Sequence, residues 1–259
     1  MISMAYDIAQ LDSADFAELA NTLGDTPETT VSVHLLKKKL CKAFVAGSPT
    51  SFSAAIVQGH FDSEEPRGFG TEARALWELL QLVEGWDCIS VNRQCAKPLG
   101  DLIEKSNGVK VRYYGDVYHS LTRPVQLFTN DHVRELTIHD RNLIASAPIE
   151  IQGGGYEDMK TMLSEGIVAG AIDAGQLVSI AHTSGVTDLH GEIGVGTLEP
   201  WRKKGLCSAA ASIVSNRLQE QGRVPVWSTG EDNFASLRVA AKLGFREVSR
   251  RTYVILIKS

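Results

Sequence analysis

The stretch that carries the clearest chemistry runs from Glu192 to Leu218, EIGVGTLEPWRKKGLCSAAASIVSNRL. Its pattern predicts a strand that delivers the sequence Arg202-Lys203-Lys204-Gly205 directly to the start of a helix. The first amides of a helix lack intrahelical partners and carry about half a positive charge, so they can bind a pyrophosphate. A glycine lets the backbone approach such a ligand closely, and the basic side chains add local charge. The stretch therefore predicts an anion-binding site, with a solvated basic turn as the alternative.

Two ordered motifs resemble the GNAT superfamily of N-acetyltransferases. The residues from Arg202 to Cys207, R-K-K-G-L-C, resemble its R-x-x-G-x-[GA] pyrophosphate loop, with the small residue Cys207 replacing the usual last glycine or alanine. The segment from Asn233 to Phe245, NFASLRVAAKLGF, is similar to its N-x-x-[AS] helix ending in K-L-G-F. The leader E-I-x-x-x-T, which begins at Glu192, resembles the branch of zwittermicin-resistance-type and other FR47-like acetyltransferases. The resemblance covers about residues 131–259 and implies a coenzyme A-dependent N-acyltransferase.

The resemblance implies acetyl-CoA as co-substrate, no metal, and a set of binding residues. Backbone groups of three strand residues would face the acyl-pantetheine arm: Val195, Gly196 and Thr197. Asn233 would hydrogen-bond the same arm. The pyrophosphate would be held by Arg202, Lys203, Lys204, Gly205, Leu206, Cys207 and Ser208. Arg238 and Lys242 either reach other phosphates or are ordinary exposed helix charges.

Acyl transfer to an amine also needs a base and a proton for the departing thiolate. Glu192 begins the strand that resembles the family's central one, which makes it the candidate base; an ordinary polar residue at a strand end is the alternative. Many members of the superfamily carry a tyrosine acid where this chain has Ala240. Tyr253 or water would then supply the proton, although Tyr253 lies in an apolar strand and suits packing. His182 either lines the acceptor pocket or is structural.

The elements around these residues predict an α/β fold in two domains, residues 1–125 and 126–259. In the C-terminal half the predicted elements are a strand at 133–138, a helix at 155–163, a hairpin of 167–172 with 176–186, strands at 192–198, 225–229 and 253–257, and helices after Gly205 and after Asp232 or Asn233. The N-terminal half repeats this scheme weakly, with a hairpin of 42–47 and 51–59, a helix around 76–83, a strand at 87–92, a helix at 97–105 and a strand at 109–114. Arg67-Gly68-Phe69-Gly70 superficially repeats the basic turn. We therefore expect a GNAT-like domain preceded by a second α/β domain that is a degenerate GNAT-like copy without coenzyme A binding; two unrelated α/β segments are the alternative.

Composition limits the function classes further. The 259 residues are 43% hydrophobic and 22% charged, which suits an ordinary globular protein, and the net charge of −5 gives no general attraction to nucleic acid or to an anionic membrane. The chain begins with acidic residues where a signal peptide needs a basic flank, so a cytoplasmic location is expected. The four cysteines form no C-x-x-C pair, which favours reduced thiols over a metal site or disulfides.

The sequence thus predicts transfer of an acetyl group from acetyl-CoA to a primary amine of a small molecule or peptide. Two alternatives belong to other classes. One is a catalytically silent acyl-CoA-binding sensor or scaffold, which the missing tyrosine favours. The other is a nucleotide-binding domain, but neither G-x-x-x-x-G-K-[ST] nor G-x-G-x-x-G is present. The acceptor and the oligomeric state do not follow from the sequence.

Overall fold

A computed structural model describes residues 6–257 of the chain. These residues fold into two compact units: the first comprises residues 6–24, 32–117 and 250–257, and the second comprises 25–31 and 118–249. The spatial units differ from the predicted domains 1–125 and 126–259. Apart from residues 25–31, the second unit runs from Tyr118 to Ser249. The last strand of the chain ends in the first unit.

The two halves of the chain show the same order of elements, β-α-α-β-β-β-α-β-α-β. The first series is β1 (Ile8–Gln10), α1 (Phe16–Leu23), α2 (Thr30–Lys38), β2 (Cys41–Ser48), β3 (Ser51–Gly59), β4 (Arg67–Gly70), α3 (Ala73–Leu80), β5 (Cys88–Asn92), α4 (Arg93–Asn107) and β6 (Val111–Ser120). The second series is β7 (Val133–Glu135), α5 (Arg141–Ala145), α6 (Met159–Glu165), β8 (Val168–Asp173), β9 (Gln176–Val186), β10 (His190–Thr197), α7 (Leu206–Glu220), β11 (Val224–Gly230), α8 (Phe234–Leu243) and β12 (Arg246–Leu256). Short 3₁₀ helices lie at Ile138–Asp140, Ile149–Ile151 and Glu199–Trp201. The predicted repetition of one α/β folding unit is therefore confirmed in the order of its elements.

In the first unit the strands lie in the order β1-β2-β3-β4-β5-β12. All neighbours are antiparallel except β4 and β5, which pair in parallel at Arg67 and Ser90. The core packs one apolar face of α3 and α4 on these strands, and its buried members include Leu76, Leu79, Ile89, Leu99 and Val254. On α3, the buried residues Leu76 and Leu79 belong to the helical stripe that the spacing of the leucines predicts.

In the second unit the strands lie in the order β11-β10-β9-β8-β7, with β10 and β11 parallel and the other pairs antiparallel. The β8–β9 hairpin turns at Ala174 and Gly175, both with positive φ, as the sequence predicts. Helix α7 buries its small and apolar residues, among them Ala210, Val214 and Leu218, against these strands. Small side chains let the helix approach the sheet closely, which places its N-terminus at the end of β10.

Two predicted elements are corrected. The helix expected at 155–163 begins later, at Met159, because the Asp158 carboxylate accepts a hydrogen bond from the Thr161 amide (2.7 Å) and caps it there. Gly155 instead has φ +89° and lies so close to the Ser184 carbonyl that no Cβ fits. The predicted basic turn from Arg67 to Gly70 is strand β4, so it corresponds in order to β10 and not to the loop after it.

Residues 25–31 belong to the second unit, and Asp25 is their main polar tie. Its carboxylate accepts hydrogen bonds from the Thr187 hydroxyl (2.7 Å) and the Leu189 amide (2.9 Å), and lies 2.7 Å from His190 Nδ1. Burial opposes the charged form, but these bonds outweigh it and hold the pKa of Asp25 below its ordinary value. The β9–β10 connection is thereby fixed at the start of the strand that leads to the site. Over residues 6–257, no helix combines the length and apolar character needed to cross a bilayer.

Candidate active site

The site begins where the parallel strands β10 and β11 part. Their paired residues run from His190 and Val224 to Glu192 and Val226. Strand β10 then continues to Thr197 along β9, and β11 continues to Gly230. A bulge between Glu192 and Ile193 bends β10 at this point. Within the described residues, the edge of β10 beyond Glu192 has no pairing with β11, so its backbone groups can face a ligand.

The turn after β10 leads into the N-terminus of α7, a helix of 15 residues. Gly205 precedes it with φ +80°, and no side chain caps the helix. The first intrahelical bond is donated by Ala209 to Gly205 (3.0 Å), and among residues 6–257 no hydrogen bond is donated by the preceding amides of Leu206, Cys207 and Ser208. A Cβ built on Gly205 would meet no atom within 4 Å. This open, amide-lined helix start fits the phosphates of coenzyme A.

A cavity of about 640 Å³ opens at this point, between the end of β10, the turn and α8. It is lined by Glu150, Val195, Gly196, Thr197, Trp201, Arg202, Lys203, Gly205, Leu206, Cys207, Ser208, Trp227, Asn233, Ala235, Ser236, Arg238, Val239 and Lys242. It therefore brings together the three strand residues, the turn and Asn233 that the sequence groups as a coenzyme A site. Its size suits a ligand of this class.

Of the residues predicted to hold the cofactor, Lys204 does not line this cavity. Its ammonium group lies over the Trp201 ring, 5.9 Å from the centroid. Asn233 is the N-cap of α8, and its Oδ1 accepts from the Ser236 amide (3.2 Å), so Nδ2 is the part that can reach a ligand. Burial raises the pKa of the Cys207 thiol to about 11, although a hydrogen bond with Thr197 lowers it slightly. Cys207 therefore acts as a small neutral wall of the cavity.

Glu192, the predicted base, is buried (8% exposed) and lies outside the cavity lining, at the fork of β10 and β11. The Ser228 hydroxyl on β11 donates a hydrogen bond to its carboxylate. Ser228 has no motif around it, so sequence reasoning did not find it; only the strand register brings it to Glu192.

The other candidates separate into packing residues and distant ones. Ala240 is fully buried in the core beneath α8, which leaves no acidic group at the family's tyrosine position. Tyr253 belongs to the first unit, pairs with Ser90, and has a pKa raised by burial. His182 is buried with Nδ1 3.1 Å from the Thr183 carbonyl, and burial lowers its pKa. Trp227 both lines the cavity and packs: its ring lies edge-on to Phe245 (5.6 Å), and its indole N–H donates to the Ser236 hydroxyl (2.9 Å).

Several lining residues escaped the sequence analysis. Ala235, Ser236 and Val239 share one face of α8 with Arg238 and Lys242, and the helical period counted from Asn233 would have found them. Glu150 enters from the 3₁₀ helix Ile149–Ile151, whose position depends on the fold of the preceding loop. Among residues 6–257 no group of three or more His, Cys, Asp or Glu side chains is placed to hold a metal ion.

Comparison with known proteins gives a match to a family model over part of the chain, and a likeness in fold over nearly all of it. The model of the GNAT acetyltransferase family matches residues 134–255. No curated protein sequence shows a significant match to this chain.

Solved structures align with nearly the whole chain. A GCN5-related N-acetyltransferase-like protein from Streptococcus suis is 22% identical, with 95% of this chain and 99% of that chain covered and a TM-score of 0.68. A GCN5-related N-acetyltransferase from Sphaerobacter thermophilus is 16% identical, with 100% and 98% covered and a TM-score of 0.60. A tandem GNAT protein from the clavulanic acid biosynthesis pathway is 12% identical, with 96% and 98% covered and a TM-score of 0.57.

At these identities the likeness concerns the fold, and it confirms the predicted fold class of a GNAT-like domain preceded by a second GNAT-like α/β domain. The family model thus matches residues 134–255, less than half of the chain, whereas the likeness in fold extends over nearly all of it.

Proposed function

We propose that the protein is an acyl-CoA-dependent N-acyltransferase that moves an acetyl group from acetyl-CoA to a primary amine of a small molecule or peptide. The observation that carries the proposal is the single cavity at which the end of β10, the uncapped start of α7 and Asn233 meet. These are the parts that the sequence motifs assign to the acyl arm and the pyrophosphate. The zwittermicin-resistance-type branch rests only on the leader from Glu192 to Thr197 and stays a prediction.

The binding roles follow from charge and backbone geometry. Amides of Leu206 to Ser208 would hold the pyrophosphate, with Arg202 and Lys203 adding positive charge around it. Val195 to Thr197 offer strand backbone to the pantetheine arm, and Asn233 Nδ2 approaches from the opposite wall. When bound, acetyl-CoA supplies an activated thioester, and free amides at the β10–β11 fork can stabilise negative charge on its oxygen.

Glu192 would take the proton that the acceptor ammonium must lose. Its carboxylate is held by Ser228 at the fork where the two strands part. Because it lies just outside the cavity lining, we expect it to act through a water molecule. At the position where many members of the resembled superfamily carry a tyrosine acid, this chain has Ala240, which is buried and has no proton to donate. The departing thiolate would then be protonated by water or by the acceptor itself.

The proposal is tested by release of free thiol from acetyl-CoA in the presence of amino acids, polyamines, aminoglycosides and short peptides. An acyltransferase releases thiol only when a suitable amine is present. A silent sensor binds acetyl-CoA, seen as a rise in Tm, without amine-dependent release. If acetyl-CoA neither raises Tm nor is consumed, the coenzyme A site itself is refuted.

A further inference from the structure

Glu150 differs in charge from the other ionisable residues that line the cavity, which are basic apart from the neutral thiol of Cys207. Among the described lining residues it is the one carboxylate, whereas Arg202, Lys203, Arg238 and Lys242 are basic. Its side chain is exposed and makes no ion pair or hydrogen bond within residues 6–257. A carboxylate beside a polyphosphate site weakens binding of the anion by repulsion. Its presence there is explained if a cation binds next to it.

The segment that presents Glu150 is held firmly. Ile151 is 1% exposed and packs in the core with Met162. Its amide donates to the Pro148 carbonyl (3.0 Å), and the Gln152 side chain donates to the Ala147 carbonyl (2.7 Å). The backbone at Glu150 is therefore anchored, which lowers the entropy cost of binding a partner there.

This turn lies directly over the end of β10. The Glu150 carbonyl oxygen would be 2.8 Å from a Cβ on Gly196, so only a glycine permits the approach. Next to Glu150, the Ile149 side chain is 80% exposed and lies outside the cavity lining. The turn therefore contributes a negative charge to the cavity, beside the strand that faces the acyl arm. That charge matches a protonated amine.

We propose that Glu150 selects the acceptor by binding the second ammonium group of a diamine or polyamine. This inference rests on the proposed acyltransferase function. In the reaction, the distal nitrogen stays protonated beside Glu150 while the reacting ammonium loses two protons. Its nitrogen forms the amide bond as the carbon–sulfur bond breaks, one proton leaves with the thiol and the other passes to water.

Three acceptors of equal chain length test this: 1,4-diaminobutane, butylamine and 4-aminobutyrate, which carry a distal cation, no distal charge and a distal anion. We expect kcat/KM to fall in that order. Glu150→Gln should raise KM for the diamine about 5–10-fold, with kcat and the butylamine reaction nearly unchanged, because it removes a charge-assisted contact. Glu150→Lys should reverse the preference toward 4-aminobutyrate. Glu157→Gln, an exposed carboxylate on the same segment outside the cavity lining, should change none of these values.

Equal use of diaminobutane and butylamine, or a diamine KM unaffected by Glu150→Gln, overturns the inference and leaves the acyltransferase function standing. If no amine is acylated, the acyltransferase function fails, and calorimetry with 1,4-diaminobutane on coenzyme A-saturated protein still decides the role of Glu150. Diamine binding that is weakened in the Gln variant supports that role. Absent binding, or equal binding in the variant, refutes it.

Discussion

The two halves of the chain share one order of elements, but the units that they form differ at the place where the central parallel strands part. In the second unit, β10 and β11 separate beyond Glu192 and a cavity opens beside them. In the first unit, β4 and β5 pair at Arg67 and Ser90, and side chains then bridge them. The buried Arg251 guanidinium donates to the carbonyls of Gly68 (2.6 Å) and Ser90 (2.9 Å). In the first unit a side chain thus joins the two strands at the place that corresponds to the open fork of the second unit.

The turns that follow β4 and β10 also differ in length and charge. Between β4 and α3 stand only Thr71 and Glu72, and the acidic Glu72 occupies the N-cap of α3. Between β10 and α7 stands the longer segment 198–205, which is basic and ends in Gly205. A carboxylate at a helix N-terminus competes with phosphate for the same positive potential. A duplicated scaffold therefore keeps its fold while a few residues decide whether it offers a coenzyme A site, and we propose that the first unit offers none.

Gly205→Glu should have the largest effect, because it should remove the coenzyme A site that distinguishes the second unit from the first. The new side chain adds bulk and negative charge where the pyrophosphate rests, so the rise in Tm caused by coenzyme A should be abolished. Gly205→Ala also places a side chain on a backbone with φ +80°, but it adds no charge. This variant should therefore keep part of the rise in Tm caused by coenzyme A. Thr71→Glu, at the matching turn of the first unit, should keep all of it. A full ligand-induced rise in Gly205→Glu would refute the assigned site.

Arg251→Ala should open the matching place in the first unit without creating a site. Removal leaves the Gly68 and Ser90 carbonyls and Asn92 Oδ1 without this donor, at a cost of about 3 kcal/mol or more in the free energy of unfolding. Urea unfolding measures this cost. Arg251→Lys keeps the charge but not the planar guanidinium group, so its free energy of unfolding should lie between those of the wild type and Arg251→Ala. Coenzyme A affinity of the folded variant should equal that of the wild type; a second bound coenzyme A would contradict the comparison.

Glu192→Gln should separate chemistry from binding. Glutamine keeps the size and hydrogen bonding of Glu192 but accepts no proton, so turnover should fall about 100-fold, most at pH values where the acceptor amine is protonated. Coenzyme A affinity should be retained. Turnover equal to the wild type across the pH range, with an acceptor already shown to react, removes Glu192 from the mechanism. Ser228→Ala should lower turnover less, since it acts only through Glu192.

Asp25→Asn should test the tie that holds residues 25–31 in the second unit. Because the folded state depresses the pKa of Asp25, the carboxylate stabilises the fold above its unfolded pKa near 3.8 and loses this effect as pH falls through the lower folded value. The variant should therefore lose about 1 kcal/mol at neutral pH, and the difference should vanish in acid. Asp12→Asn, an exposed position of the first unit, serves as the control. A loss that is independent of pH would contradict this role.

Lys203→Ala should have the smallest effect. Lys203 is an exposed side chain at the cavity, so its removal should weaken coenzyme A binding about 2–3-fold and reduce the dependence of Kd on salt. Lys204→Ala should change binding less still, since Lys204 lies over Trp201 outside the cavity lining. Titrations at two ionic strengths distinguish them. A larger loss in Lys204→Ala would place the phosphates on the other side of the turn.

Much of this architecture follows from local sequence. The hairpin turn at Ala174 and Gly175, the N-cap at Asn233 and the end of α8 at Gly244 each depend on one residue's conformational preference, and all lie where predicted. Of the residues that the resemblance predicts to hold the cofactor, all but Lys204 line the cavity. Local sequence patterns do not predict contacts between residues that lie far apart in the chain. Ser228 beside Glu192 depends on strand register, and Glu150 over Gly196 depends on how a loop packs.

The same limit explains the first unit. Arg251 is distant in sequence from Gly68 and Ser90, and an arginine in a C-terminal strand gives no sign that it closes a gap between β4 and β5. The strand Arg67–Gly70 likewise resembles the basic turn when it is taken alone. Its role becomes evident only from the order of the strands around it.

Calorimetric titration of coenzyme A into the full-length protein tests the difference between the two units most directly, because it counts sites. One bound coenzyme A per chain is the expected result, with the heat of binding lost in Gly205→Glu and kept in Thr71→Glu. Two bound molecules per chain, or one that persists in Gly205→Glu, would contradict it.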